Sequence, residues 1–315
     1  MKILVTGAAG FIGSNLAERL LRRGDEVVGL DNFDDYYDPT RKRRNEARLN
    51  AYSAFRMVEA DVRDRPTMLA LFADEGFEAV AHLAALAGVR NAVANPERYV
   101  EVDYNGTQHL MDGARRHGVG NFVFASTSSV YGSDSAIPFV ETAACDRPLQ
   151  PYAAAKRAAE LLGYSYHYLY GLNFTAIRFF TVYGPNGRPD MMAYLVADSI
   201  TKGIQIPLYE GGEMYRDWTY VDDISAGVAA ALDRPLGYEI VNLGRGEPTL
   251  LRHFVQLLEA LAGGEANVVH RPKPAADVVS TYADINKARR LLDYNPQVSV
   301  EEGVKAFWEW YAEHG

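Results

Sequence analysis

Residues 1–31 read MKILVTGAAGFIGSNLAERLLRRGDEVVGLD, and their order decides the fold. Lys2–Thr6 is a short apolar run with strand character, and Glu26–Asp31 is a second. Between them, residues 12–23 repeat apolar positions at helical spacing. The turn from strand to helix is Gly7-Ala-Ala-Gly10-Phe11-Ile12-Gly13. Such a turn brings the unpaired N–H groups and positive dipole end of the helix to the carboxyl end of the strand, where a pyrophosphate can sit. Glycine suits the turn because a Cβ would obstruct both the tight bend and the close approach of phosphate and neighbouring strand. Asp31 closes the second strand, where a carboxylate can grip the adenosine ribose hydroxyls and would repel a 2′-phosphate. The expected cofactor is therefore NAD rather than NADP. The basic run 41–48, RKRRNEAR, reads as a solvated helix or loop, or alternatively as a cofactor-phosphate contact that would favour NADP.

Outward from this unit the alternation continues. Strands are expected at 55–60, 79–83, 121–126 and 174–180, with helices at 66–74, 96–117 and 152–170; Pro66 and Pro96 sit at helix starts. Nearly continuous apolar strands imply a sheet covered on both faces, a Rossmann-type, doubly wound parallel α/β fold. After Gly184 the turn Gly-Pro-Asn-Gly-Arg-Pro breaks the pattern. Beyond it come helices at 191–202, 222–231, 249–262, 286–293 and 300–311 and a strand near 238–242. This divides the chain into a cofactor domain, 1–183, and a smaller C-terminal α/β substrate lobe, 184–315, with some later segments returning to the sheet.

The composition fits a globular enzyme: 315 residues, 48% hydrophobic and 23% charged. A net charge of −9 argues against binding a nucleic-acid backbone. No apolar run reaches membrane-span length, and the opening strand leaves no room for a secretory leader. The single cysteine, Cys145, excludes an internal disulfide and fits a reducing cytoplasm.

Chemistry concentrates where strands end. Asp61-Val62 follows the third strand and is either an adenine contact or a helix cap or surface acid. His82-Leu83-Ala84-Ala85 ends the fourth; its small residues let a cofactor approach, while His82 reads as a packed histidine. No spaced His or Cys partner accompanies it, so no metal is expected. Tyr152-Ala-Ala-Ala-Lys156 places a phenol and an ammonium four apart on one helix face. A neighbouring ammonium and a positive nicotinamide would lower the phenol's pKa, making Tyr152 a base for a sugar hydroxyl. Thr127 ends the fifth strand and either relays the proton or belongs with Ser128 and Ser129 to a polar turn.

With these residues in place the chain resembles the extended short-chain dehydrogenases/reductases, specifically the NAD-dependent sugar-nucleotide epimerases. The shared features are the GxxGxxG loop, Asp31-Asn32, His82-Leu83-Ala84-Ala85, Asn105, Thr127-Ser128-Ser129-Val130-Tyr131-Gly132, Tyr152-x-x-x-Lys156, and Arg216-Asp217 with Val221-Asp222-Asp223. The resemblance implies a cofactor site of Gly7, Gly10, Phe11, Ile12, Gly13, Asp31, Asn32, Asp61, Val62, Leu83, Ala84, Ala85, Tyr152 and Lys156. It also implies bound NAD and transient oxidation of a sugar C4, with Tyr152, Lys156 and Thr127 catalytic. Among these enzymes the chain is most similar to UDP-glucuronate 4-epimerases, through residues 31–38 (DNFDDYYD), residues 127–132, Thr181-Val182-Tyr183-Gly184-Pro185 and Gly187-Arg188-Pro189-Asp190.

By that resemblance Thr127, Ser128, Ser129 and Thr181 surround a sugar carboxylate, near Tyr152. Arg188 lies on the carboxylate or the nucleotide, or else is an exposed loop arginine. Arg216 takes the diphosphate, Asp277 the uridine ribose, and Tyr209 either uracil or a place in the core. Ala275-Ala276 departs from the glycine common in relatives. Related decarboxylases and dehydratases usually carry an acid beside the catalytic Thr; serines at 128 and 129 favour epimerisation with the carboxylate retained. A UDP-glucose/UDP-galactose epimerase, or a catalytically silent NAD-binding scaffold, are the alternatives. A homodimer through helices 96–117 and 152–170 is also implied, with no nucleic-acid or membrane partner.

Overall fold

In the computed structural model, which describes residues 1–86 and 88–315, a seven-stranded parallel sheet carries the site. Its strands are β1 (Lys2–Thr6), β2 (Glu26–Asp31), β3 (Phe55–Glu59), β4 (Ala79–His82), β5 (Asn121–Thr127), β6 (Phe174–Phe179) and, at one edge, Tyr238–Leu243. From that edge the order is Tyr238–Leu243, β6, β5, β4, β1, β2, β3. The chain thus runs outward from β1 in one direction and returns to β4 to run outward in the other. Such a reversal opens a crevice at the carboxyl ends of β1 and β4.

Both faces are covered, as the apolar strands require. On one, helices α1 (Phe11–Arg23) and Val221–Leu232 bury Leu16, Leu20, Ile224 and Val228 against Val5 and Ile177. On the other, Met68, Leu110, Phe122 and Phe174 pack beneath helices α3 (Arg65–Glu75), Thr107–Arg116 and Pro151–Tyr170. Each such side chain removed from water contributes about 1.5–3 kcal/mol before its ordering cost.

Local signals set the helix ends. Asp64 caps α3 by accepting from the Thr67 N–H, and Gly24 ends α1 at φ 94°. Pro151 opens the long helix, with the Gln150 side chain accepting from the Ala153 N–H. The expected helix at 96–117 is three pieces end to end: Pro96–Tyr99, a π-helical stretch Val100–Gly106, and Thr107–Arg116. The basic run lies in α2 (Pro39–Leu49). It is not merely solvated, because Lys42 and Asn45 point inward and are buried.

Residues between 183 and 311 form a further core, in which Trp218 stacks on Phe254 at a 4.0 Å centroid separation and Tyr194 meets Phe307 edge-on. Its short pairings, such as Tyr215–Arg216 with Thr249–Leu250, are not evident from the sequence. Asp217 ties later segments to its strand region: its buried carboxylate accepts from the N–H groups of Arg245, Gly246 and Ala283. Asp223 likewise accepts from Gln297 and Val298 at 3.0 Å each. Among the described residues no helix is long and apolar enough to cross a membrane.

Candidate active site

The crevice at the carboxyl ends of the strands is a cleft of about 1390 Å³ including its mouth. All fourteen residues expected to hold a dinucleotide line it, from Gly7 through Ala85 to Tyr152 and Lys156.

The glycine turn is shaped by contact. Gly7 has φ 68°, and a Cβ there would come within 2.8 Å of the Ala84 backbone nitrogen. A Cβ on Gly13 would lie 2.0 Å from the Gly7 carbonyl oxygen, so the helix start can pack on the turn only without one. The N-terminus of α1 has no side-chain cap and no acid in its first turn, leaving its amides to the cleft. This arrangement fits a pyrophosphate.

Asp31 reaches back to the same turn. Its carboxylate accepts from the Ala9 and Phe33 N–H groups at 3.2 and 2.9 Å and pairs with Lys42 at 3.3 Å. Lys42 is therefore the one member of the basic run that reaches the Asp31 side of the cleft. Arg43 instead lies over Phe33 and pairs with Glu46 and Glu59, and Arg41 lies over Tyr194. Asp61 is not a helix cap; Asp64 has that role. It accepts from Asn32 at 2.9 Å and from Arg63. Despite partial burial, those hydrogen bonds pull its carboxyl down to about 2. His82 is fully buried between the Thr6 and Thr107 hydroxyls at 2.7 and 2.9 Å, and burial holds its pKa well below the ordinary value.

At the other end of the cleft stand Tyr152, Lys156 and Thr127. Lys156 is 1% exposed, sits over the Phe124 ring at 4.7 Å, and among the described residues its Nζ has no hydrogen-bond partner. A buried ammonium left unsatisfied is costly, so its fit is to incoming hydroxyl oxygens such as those of a ribose. For Tyr152 the expected lowering calls on a bound nicotinamide as well as on the lysine. Burial, then the Asp103 carboxylate, push its phenol up, opposed by a hydrogen bond with Thr127 and by Arg188. A carboxylate absent from the sequence reading stands 3.6 Å from the Lys156 ammonium. That carboxylate, Asp103, is two residues from Asn105, the position that carried part of the resemblance.

The Thr127 hydroxyl both accepts from the Ser129 N–H and reaches the Ser129 hydroxyl, at 3.2 Å each. The polar turn and the approach to Tyr152 therefore coexist. Arg188 lines the cleft and is gripped by Asp190 through two 2.9 Å hydrogen bonds. Burial disfavours its charge, but Asp190 more than offsets this. Tyr36 donates to Asp190 at 3.2 Å across the cleft mouth. Other expected substrate residues do not line this cleft. Ser128 and Ser129 form the turn behind Thr127, and Thr181 starts the short strand Thr181–Tyr183. Arg216 and Asp277 pair with each other at 2.9 Å, and Tyr209 packs against the core around Trp218 and Phe254.

Sequence reasoning also missed Phe179 and Phe180, at the end of β6. The rule that ligands gather at carboxyl ends of parallel strands would have found them. It missed Glu160 as well, which is fully buried and binds Arg178 through two hydrogen bonds and Ser126 through a third, bracing β5 beneath the site.

Residues 3–244 match the model of the NAD dependent epimerase/dehydratase family. UDP-glucuronate 4-epimerase of Thermodesulfobacterium geofontis (strain OPF15) is 43% identical over 312 residues, covering 99% of this chain and 96% of that protein. The crystal structure of UDP-glucuronic acid 4-epimerase from Bacillus cereus, in complex with UDP-glucuronic acid and NAD, matches with a TM-score of 0.92 at 34% identity, with 99% of each chain covered. UDP-glucose 4-epimerase of Thermotoga maritima, with UDP-glucose, matches with a TM-score of 0.91 at 31% identity, again over 99% of each chain.

Proposed function

Because the chain belongs to the NAD dependent epimerase/dehydratase family, we propose that it is an NAD-dependent UDP-sugar 4-epimerase that interconverts UDP-glucuronate and UDP-galacturonate. The observation that carries this reading is the meeting of Tyr152, Lys156 and Thr127 in one cleft with the open N-terminus of α1.

The chain's residues divide the work. The α1 amides bind the pyrophosphate, Asp31 the adenosine ribose, and Lys156 Nζ the second ribose. When bound, NAD supplies a hydride acceptor, and later donor, beside the sugar C4. Tyr152 Oη takes the proton of the C4 hydroxyl and later returns it, with Thr127 Oγ1 sharing it. Because burial keeps the free phenol neutral, the phenolate depends on positive charge brought into the cleft. The sugar turns between the two half-reactions, so the oxygen is re-protonated with hydride on the opposite face. Ser128 and Ser129 put no carboxylate beside Thr127, which supports retention of the substrate carboxylate. Arg188 supports a uronate, since a guanidinium is suited to a carboxylate. Arg216 and Asp277 would part to take the diphosphate and the uridine ribose, and Tyr209 would lie near the uracil. On this reading residues 1–183 chiefly bind cofactor and 184–315 chiefly the nucleotide sugar.

Incubation with UDP-glucuronate and no added NAD, followed through the anomeric proton by NMR, should yield UDP-galacturonate. Turnover of UDP-glucose alone would instead support the neutral-hexose reading. That reading draws on the engagement of Arg188 by Asp190, which leaves less charge for a uronate.

A homodimer and operation in the cytoplasm complete the proposal. The Pro151–Tyr170 helix leaves Leu161, Tyr164, Tyr168 and Leu169 exposed, and Val100 and Leu149 beside it are exposed too. An apolar set of this kind supports self-association.

A further inference from the structure

Asp103 is the one carboxylate within 4 Å of the Lys156 ammonium among the described residues, and it stands outside the lining of the cleft. Both side chains are buried, at 0% and 1% exposure. Oδ1 accepts from the Leu86 N–H at 3.2 Å and faces Nζ at 3.6 Å, beyond hydrogen-bond reach. Among the described residues neither Oδ2 nor Nζ has a hydrogen-bond partner. The carboxylate is carried by the π-helical stretch Val100–Gly106, a rare geometry found disproportionately at functional sites. The Thr107 hydroxyl ties down its backbone by donating to the Asp103 carbonyl at 2.7 Å.

Resting on the proposed role of Tyr152 and Lys156, we propose that Asp103 is a positioning residue of the catalytic pair: it supplies the lysine's counter-charge, keeps the ammonium aimed into the cleft, and withholds the lysine's field from the Tyr152 phenol. The groups around it are few. Lys156 and Tyr152 face it from the Pro151–Tyr170 helix, and Tyr99 from the adjoining helical piece. His82, from β4, is buried and neutral. Glu160 and Arg188 act at longer range, on Lys156 and Tyr152 respectively. With its charge cancelled at close range, the lysine serves as a hydrogen-bond donor more than as an electrostatic activator. Activation of the phenol then waits for the positive nicotinamide and for Arg188, so an empty site holds no ready base. Burial raises the Asp103 carboxyl to about 6, with Lys156 opposing the rise. The counter-charge is thus present at neutral pH and fades below it.

The test is a titration of the Tyr152 phenol in the NAD-containing protein, read by phenolate ultraviolet absorbance with the matching Tyr152→Phe protein subtracted. In Asp103→Asn the amide oxygen can still accept from Leu86, but the negative charge is gone. The phenol should then ionise about one pH unit lower than in wild type. An unmoved titration in a folded Asp103→Asn protein would overturn the proposal. If Asp103→Asn fails to fold, the same idea blames the stranded ammonium, so adding Lys156→Met should restore folding. Failure of that double variant to fold while Lys156→Met alone folds would equally overturn it. Wild-type turnover of a UDP-sugar is scored separately, so loss of the epimerase reading would be distinguishable from loss of this one.

Discussion

At the scale of single residues, Tyr152 separates what a sequence can say from what it cannot. Its pairing with Lys156 is legible because four residues is one helical turn. The direction in which its pKa moves is not, since that depends on burial and on Asp103, which lies 49 positions before it in the sequence. Replacing Tyr152 by Phe should lower turnover by about a thousandfold, within the range for losing a general base, while NAD released on denaturation stays stoichiometric. Full activity would mean that the proton goes elsewhere. Asp61 gives a prediction of the opposite electrostatic sign. Its folded pKa, about 2, lies below that of an unfolded aspartate, so its contribution to stability is present above about pH 4 and lost as the pH falls toward 2. Asp61→Asn should therefore melt below wild type at neutral pH, with the gap closing in acid. A constant gap across that window would assign the effect to packing rather than charge.

At the scale of elements, the strands and long helices were readable because apolar periodicity and caps act locally. β1 and β2 match the expected bounds, and the prolines mark helix starts as predicted. The last helix, Val300–His314, begins with a capping box in which the Ser299 hydroxyl accepts from the Glu302 N–H and Glu302 accepts from the Ser299 N–H. Ser299→Ala should cost about 1 kcal/mol, measurable by denaturant melting with an unchanged slope. What escaped reading depends on partners distant in sequence. The two-residue strand Tyr215–Arg216 exists through its pairing with Thr249–Leu250. The π-helical stretch interrupts a segment whose local signals are simply helical. The Arg216–Asp277 pair likewise joins two segments far apart in the chain, and composition says nothing of their meeting.

At the scale of the whole molecule, the exposed apolar face of the Pro151–Tyr170 helix predicts association. Tyr168 is 76% exposed and Leu161 53%, positions at which a charge costs the monomer little. A Leu161→Glu, Tyr168→Glu protein should sediment as a monomer with an unchanged melting profile at low concentration, whereas wild type should sediment as a dimer. A monomeric wild type would refute the dimer. The sheet itself also bears on how the chain is made. Its edge strand Tyr238–Leu243 and the helix Val221–Leu232 that packs on α1 both come after residue 183 in the chain. Synthesis runs from the amino end, so the first 183 residues leave the ribosome with β6 as a bare edge and one face of the sheet covered by α1 without its partner helix Val221–Leu232. A nascent chain halted there presents a sticky surface to chaperones, and severing the gene at that seam would yield two fragments that each lack part of a common core.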